Sequence, residues 1–162
     1  MTSNSPGVGQ RLMSANKTEG RTLFLTNRLI RAATALGRIT AQVHRDEHGL
    51  TAPEFSVLII LGAADGKAFT SSYIVETTAM DKTKVSRAVS SLDRRGWLGR
   101  SRATADRRFE YLTLTEAGRR AYLALIPKVE EAENRVLSEL SAEELAGLER
   151  GLAGLDRALD QE

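Results

Sequence analysis

Cysteine is absent from the 162 residues, and histidine occurs only as His44 and His48. Without cysteine there is no structural disulfide, no thiolate zinc site and no thiol-based redox switch. The two histidines stand four residues apart, which would put both rings on one helical face, but Gly49 follows at once and no cysteine completes a ligand set. No metal site and no cofactor are therefore expected. A glycine-rich phosphate loop is also missing, because the glycines stand mostly at expected caps and turns. No apolar run is long enough to cross a bilayer, and the N-terminus lacks the apolar core of a secretion signal. The expectation is a cytoplasmic protein with no membrane partner. Ser86 and Ser90 have no histidine near them in sequence, and the carboxylates cluster on expected solvated helix faces, so an enzyme is not expected. A chain of this length buries roughly two-thirds of its unfolded surface, enough for one domain without metal or disulfide staples.

Charge is nearly balanced at a net +2 but unevenly placed. Between Asp81 and Arg108 stand Lys82, Lys84, Arg87, Arg94, Arg95, Arg100, Arg102, Arg107 and Arg108, against Asp81, Asp93 and Asp106. From Val129 onward acids dominate, among them Glu130, Glu131, Glu133, Glu139, Glu143, Glu144 and Glu149. A molecule basic at one end and acidic at the other orients on a polyanion.

The cationic segment reads as a helix followed by a hairpin. Asp81 is an N-cap residue, with Met80 and Val85 placed as a hydrophobic staple, so a helix begins at Lys82. Val85, Ala88, Val89 and Leu92 recur at the spacing of one buried stripe. The opposite stripe is Thr83, Ser86, Arg87, Ser90 and Arg94. Short hydroxyl groups let a helix lie deep in a groove, Arg87 can reach a guanine edge bidentately, and Lys82 and Lys84 stand where a helix end meets phosphate. An ordinary solvated helix face is the alternative reading. Gly96 ends the helix as a left-handed cap. Trp97 to Ala103 and Phe109 to Leu114 then read as two strands around a polar turn, a wing tipped by Asp106, Arg107 and Arg108. Arginine at such a tip can enter the narrow minor groove.

The blocks Asp81-Lys82-Thr83-Lys84-Val85-Ser86-Arg87, Arg95-Gly96-Trp97-Leu98, Asp106-Arg107-Arg108 and Leu112-Thr113-Leu114-Thr115-Glu116-Ala117-Gly118 resemble the multiple-antibiotic-resistance regulator (MarR) family, and the likeness extends from about Leu23 to about Leu159. The resemblance implies a dimeric winged helix-turn-helix repressor of double-stranded DNA, released when a small molecule binds. It maps base reading onto Thr83, Ser86 and Arg87, the wing-tip arginine onto Arg108 and its pairing acid onto Asp106. Family effectors occupy a crevice between the dimerisation helices and the DNA-binding lobe. Here that implies Arg31, Arg38, His44, Phe55, Ser56 and Tyr122, a cationic rim with apolar walls suited to an aromatic or other organic anion.

The remaining segments fit the same fold class, mainly α with a small β-wing. Residues 1–20 read as a flexible arm and 21–162 as one domain, with 21–48 and 115–162 as dimerisation helices and 51–114 as the winged helix-turn-helix lobe. A first helix is expected from Thr22 to about Val43, with Leu25, Leu29, Ala32, Leu36, Ile39 and Val43 in a near-heptad stripe. Thr51 and Glu54 form a capping box for a second helix, Ala52 to Ala63. Asp65-Gly66 is a turn, and Lys67-Ala68-Phe69 a small third strand. Thr70 caps a short helix, Ser71 to Thr78, and Ser71 near its start can touch phosphate. Thr115 begins a long helix that runs through Tyr122, Leu123, Ile126, Val129, Val136 and Leu137, with a kink expected at Pro127. Ser141 and Glu144 cap a last helix carrying Leu145, Leu148, Leu152, Leu155 and Leu159, a stripe that calls for a partner helix. A homodimer would set two reading helices about 34 Å apart on a pseudo-palindromic site. Two alternatives stand beside the ligand-released repressor: a winged-helix protein-interaction module, and a DNA-binding activator without ligand response.

Overall fold

A computed structural model describes the backbone of residues 8–64, 66–78, 80–102 and 110–160, and their side chains except those of 8–23 and of Arg102. Among the described residues, six helices and three strands follow in the order α1 (Val8–His48), α2 (Ala52–Ala63), β1 (Phe69–Thr70), α3 (Ser71–Thr77), α4 (Lys82–Arg94), β2 (Leu98–Arg102), β3 (Glu110–Leu114), α5 (Glu116–Leu137) and α6 (Ala142–Leu159). The chain divides into two compact units, one up to Arg38 and one from Ile39 onward.

In the first unit, α1 corrects the expected start of the helix. It begins at Val8 rather than Thr22, inside the stretch assigned to a flexible arm. After Pro6 no proline interrupts, and Gln10, Arg11, Leu12, Met13, Ala15, Lys17 and Glu19 are all strong helix formers. The described side chains of this unit are mostly exposed, Phe24, Leu25 and Ile30 among them.

The second unit holds the core. The middle of α2 supplies Phe55, Val57, Leu58 and Leu61, which meet Ile74 of α3, Val85, Val89 and Leu92 of α4, Leu98 and Leu112 of the sheet, and Leu125 and Val129 of α5. The sheet is antiparallel in the order β1-β3-β2, with Phe69 opposite Leu112 and Leu98 opposite Leu114. Two strand boundaries differ from expectation. The third strand is Phe69–Thr70 and not 67–69, because the Lys67 N–H closes a turn onto the Ala64 carbonyl at 3.0 Å. The first wing strand begins at Leu98 and not Trp97, because the Trp97 N–H is engaged in ending α4.

The helix ends explain the bounds of the elements. Gly49, Gly66 and Gly96 have φ of 61°, 85° and 71°, which only glycine adopts without strain. At Gly96 the chain makes both bonds of a Schellman turn, Gly96 N–H to Asp93 O at 2.8 Å and Trp97 N–H to Leu92 O at 3.0 Å. The helix α5 continues through Pro127 and buries Gly118, Ala121, Leu125, Val129 and Ala132. Leu123 and Val136, expected on its apolar stripe, are exposed. On α6, capped by Ser141 and Glu144, no residue is buried at all.

Candidate nucleic-acid interface

The α3 and α4 pair is set up by two N-caps. The Thr70 hydroxyl accepts the Tyr73 N–H at 3.2 Å, and the Asp81 carboxylate accepts the Lys84 N–H at 2.9 Å. That backbone bond, with the Lys84 side chain beside it, holds the Asp81 carboxyl below its usual range. From this start α4 turns Val85, Ala88, Val89 and Leu92 into the core. Lys82, Thr83, Lys84, Ser86, Arg87, Ser90 and Arg94 are all exposed. The two faces expected from periodicity are therefore the two faces observed.

Lys84, Ser86, Arg87, Ser90 and Arg94 share one groove of about 630 Å³ with Thr51 and Pro53 from the start of α2. Ser71 lies instead in a smaller cleft of about 240 Å³ with Ser72, Glu76 and Lys82, at the junction of α3 and α4. Lys84 pairs with Asp81 at 3.3 Å. Arg87 and Arg94 have no ion pair among the described residues. Asp106, Arg107 and Arg108 lie outside the described residues.

Two arginines of the cationic run have structural partners. Arg100 Nε donates to Asp93 at 2.9 Å and its Nη1 to Glu110 at 2.7 Å, tying β2 to the end of α4 and to β3. Arg95 donates to the carbonyls of His48 at 2.8 Å and Gly49 at 3.2 Å. Counting charges along the chain treats these two like Arg87. The available signal was the hairpin register, which pairs Arg102 with Glu110 and so makes Arg100 and Glu110 diagonal neighbours. With several polar residues at the tip, that register is not set by sequence alone.

The candidate effector residues fall into different surroundings. Arg31 and Arg38 lie on the exposed face of α1 in the first unit, lining a shallow groove with Arg28 and Thr34. In the second unit His44 is 2% exposed. Its Nδ1 lies 2.8 Å from the Leu50 carbonyl, which can only accept, so that nitrogen carries the proton. The ring stacks on Phe55 with centroids 4.4 Å apart. Burial holds the His44 pKa below its ordinary value, against the opposing pull of the Leu50 carbonyl. Ser56 donates back to the Ala52 carbonyl at 3.0 Å, and the half-buried Tyr122 ring lies against Gly62, where a Cβ would come within 2.3 Å of it. His44 and Phe55 are thus parts of the packed corner between α1 and α2.

Among the described residues no three His, Asp or Glu side chains are placed to hold a metal ion, and no helix is long and apolar enough to cross a membrane. A sequence model of the MarR family matches residues 48–108, which span the lobe containing α2 to β2. The transcriptional repressor MprA of Escherichia coli (strain K12) is 28% identical over 113 residues, 70% of this chain and 64% of MprA. The chain therefore matches a little under two-thirds of that relative's length. BpsR of Bordetella bronchiseptica, whose DNA binding is regulated by 6-hydroxynicotinic acid, is 27% identical, with a TM-score of 0.69 over 81% of this chain and 91% of that one. The Streptomyces coelicolor MarR-family regulator Sco3205, solved in complex with DNA, shares the fold at a TM-score of 0.73 and 20% identity, over 86% of this chain and 88% of that one.

Proposed function

We propose that the chain is a regulator of the MarR family, whose sequence model matches residues 48–108, and that it acts as a homodimeric transcriptional repressor that binds a pseudo-palindromic site in double-stranded DNA and is released by a small organic anion. The observation that carries this reading is the division of α4. One face is locked into the core by Val85, Ala88, Val89 and Leu92, and the other offers Thr83, Ser86, Arg87, Ser90 and Arg94 to solvent. A helix so held presents hydroxyl and guanidinium donors at fixed positions, as base-edge reading requires. The dimer is supported by α6, whose Leu148, Leu152, Leu155 and Leu159 are left exposed by the described residues.

The test is binding of the full-length protein to duplex fragments from beside its own gene at increasing salt. Neutralising six or more phosphates predicts a loss of about 10³-fold or more between 50 and 200 mM salt. Binding that ignores salt, or no duplex binding at all, overturns the reading in favour of a winged-helix module that binds protein.

For the effector the reading rests on Arg31 and Arg38, since His44 and Phe55 are engaged in the core. BpsR's response to 6-hydroxynicotinic acid suggests an aromatic carboxylate as the first probe. Arg38→Ala is expected to abolish release by an effective anion while leaving DNA affinity within about twofold, as for a surface substitution outside the reading helix. Unchanged release in the variant removes Arg38 from the site.

A further inference from the structure

The last turn of α4 is fastened to the corner where α1 gives way to α2. The Glu54 carboxylate accepts the Thr51 N–H at 2.6 Å and the Thr51 hydroxyl at 2.8 Å, and Ser91 of α4 lines the same groove beside it. Burial pushes the Glu54 carboxyl up, but the neighbouring Ser91 and the bonds from Thr51 outweigh it and hold the group below its usual range. One turn further, the two Arg95 bonds grip the carbonyls of His48 and Gly49, at the negative end of the α1 dipole. The Arg95 guanidinium also lies 5.5 Å from the centre of the Trp97 ring, which His48 meets edge-on at 5.3 Å. The following residues anchor α5, because Thr115 donates its hydroxyl to Gly96 O at 2.7 Å and its N–H to Trp97 O at 3.0 Å. Residues 91–97 therefore join α1, α2 and α5 to both α4 and the wing strand β2.

We propose that Arg95 is a positioning residue: its fork sets the angle of the reading helix against the end of α1, and so sets the separation of the two reading helices in a dimer. The inference rests on the dimeric DNA-binding reading above. Two bonds from one planar group to successive backbone carbonyls define an orientation as well as a distance, which a single contact does not. Both acceptors belong to the main chain at the end of α1, so a displacement of that end moves the two together and shifts the pair of bonds to Arg95 as a unit. Arg95 is exposed, so water replaces its bonds at small cost in stability and its loss is felt in geometry. Lysine has the charge without the fork.

The experiment uses full-length wild type, R95A and R95K, and duplexes selected by the wild type from a random library. These are resynthesised with the half-sites moved apart by one and two base pairs. Wild type is expected to lose about tenfold or more in affinity per added base pair, since both heads must meet successive grooves. For R95A that preference is expected to flatten to within about threefold, R95K to resemble R95A, and the salt slope to stay unchanged, because no phosphate contact is lost. Thermal melting reports whether each variant is folded, and R95K alone carries the comparison if R95A is not. Variants that keep the wild-type spacing preference overturn the proposal. So does a salt slope reduced by about one with the preference intact, which makes Arg95 a phosphate contact. A wild type that selects no duplex overturns the DNA-binding reading itself.

Discussion

Leu58, Leu92 and Leu112 have no exposed surface, whereas Leu148, Leu152, Leu155 and Leu159 are 42%, 46%, 40% and 68% exposed. The side chain is the same, and local chemistry does not separate the two regions. Both α2 and α6 begin with a capping box, Thr51 with Glu54 and Ser141 with Glu144. The difference lies in what faces each stripe. In the lobe, α2, α3, α4, α5 and the sheet cover one another, whereas no residue of α6 is buried by the described residues. A regular apolar stripe reports that a helix needs a cover, and gives no information on which chain supplies it. On the reading proposed above, α6 is finished by a second copy, so its stability depends on concentration while that of the lobe does not.

The sharpest way to break this comparison is to substitute leucines on each side of it. Leu58→Ala is expected to cost about 2–5 kcal/mol in urea unfolding, as cavity-forming changes in packed cores do, with no dependence on protein concentration. Leu152→Asp with Leu155→Asp is expected to leave the unfolding of the lobe within about 0.5 kcal/mol and to give a monomeric mass by light scattering at micromolar concentration. A dimeric mass would show that α6 is not the cover for its counterpart.

Smaller effects sharpen the same contrast at single groups. Arg87→Ala is expected to cost about 1–3 kcal/mol of affinity for a selected duplex and to relax preference at one base pair. Equal losses on selected and scrambled duplexes would mean that Arg87 touches only phosphate. Ser141→Ala removes a cap worth about 1 kcal/mol, and on α6 that loss is expected in the dimer dissociation constant, not in the unfolding of the lobe. The smallest effect is that of His44. Its folded pKa lies below the usual value near 6.5, so as pH falls past that value the unfolded chain takes up a proton that the folded chain refuses. The stability contribution is full above about pH 6.5 and is lost as pH drops through the window down to the folded value. Urea midpoints at pH 7.5 and 5.5 measure it, and His44→Gln is expected to flatten that part of the profile. An unaltered profile would assign the slope to other groups.

Much of the fold was legible residue by residue. Thr51, Thr70, Asp81 and Ser141 stand at N-caps as expected, and α2 runs from Ala52 to Ala63 as its box and apolar run imply. The start of α1 is not marked in the sequence, because a polar, glycine-containing stretch resembles an arm even though its residues favour a helix. Trp97 was placed in a strand because its side chain suits one, although its N–H closes α4. In the candidate site, the exposed face of α4 was legible from its period. The separate fates of Arg87, Arg95 and Arg100 were not.

The chain's own order of residues determined where helices start and stop and which face of α4 is apolar. Those features depend on bonds and spacings within about four residues. Only the tertiary structure decided that Arg95 grips the end of α1 and that Arg100 is held by Asp93 and Glu110. The partner of Arg95 lies 47 residues away in sequence, and nothing local to an arginine reveals which distant carbonyl or carboxylate the fold will bring to it.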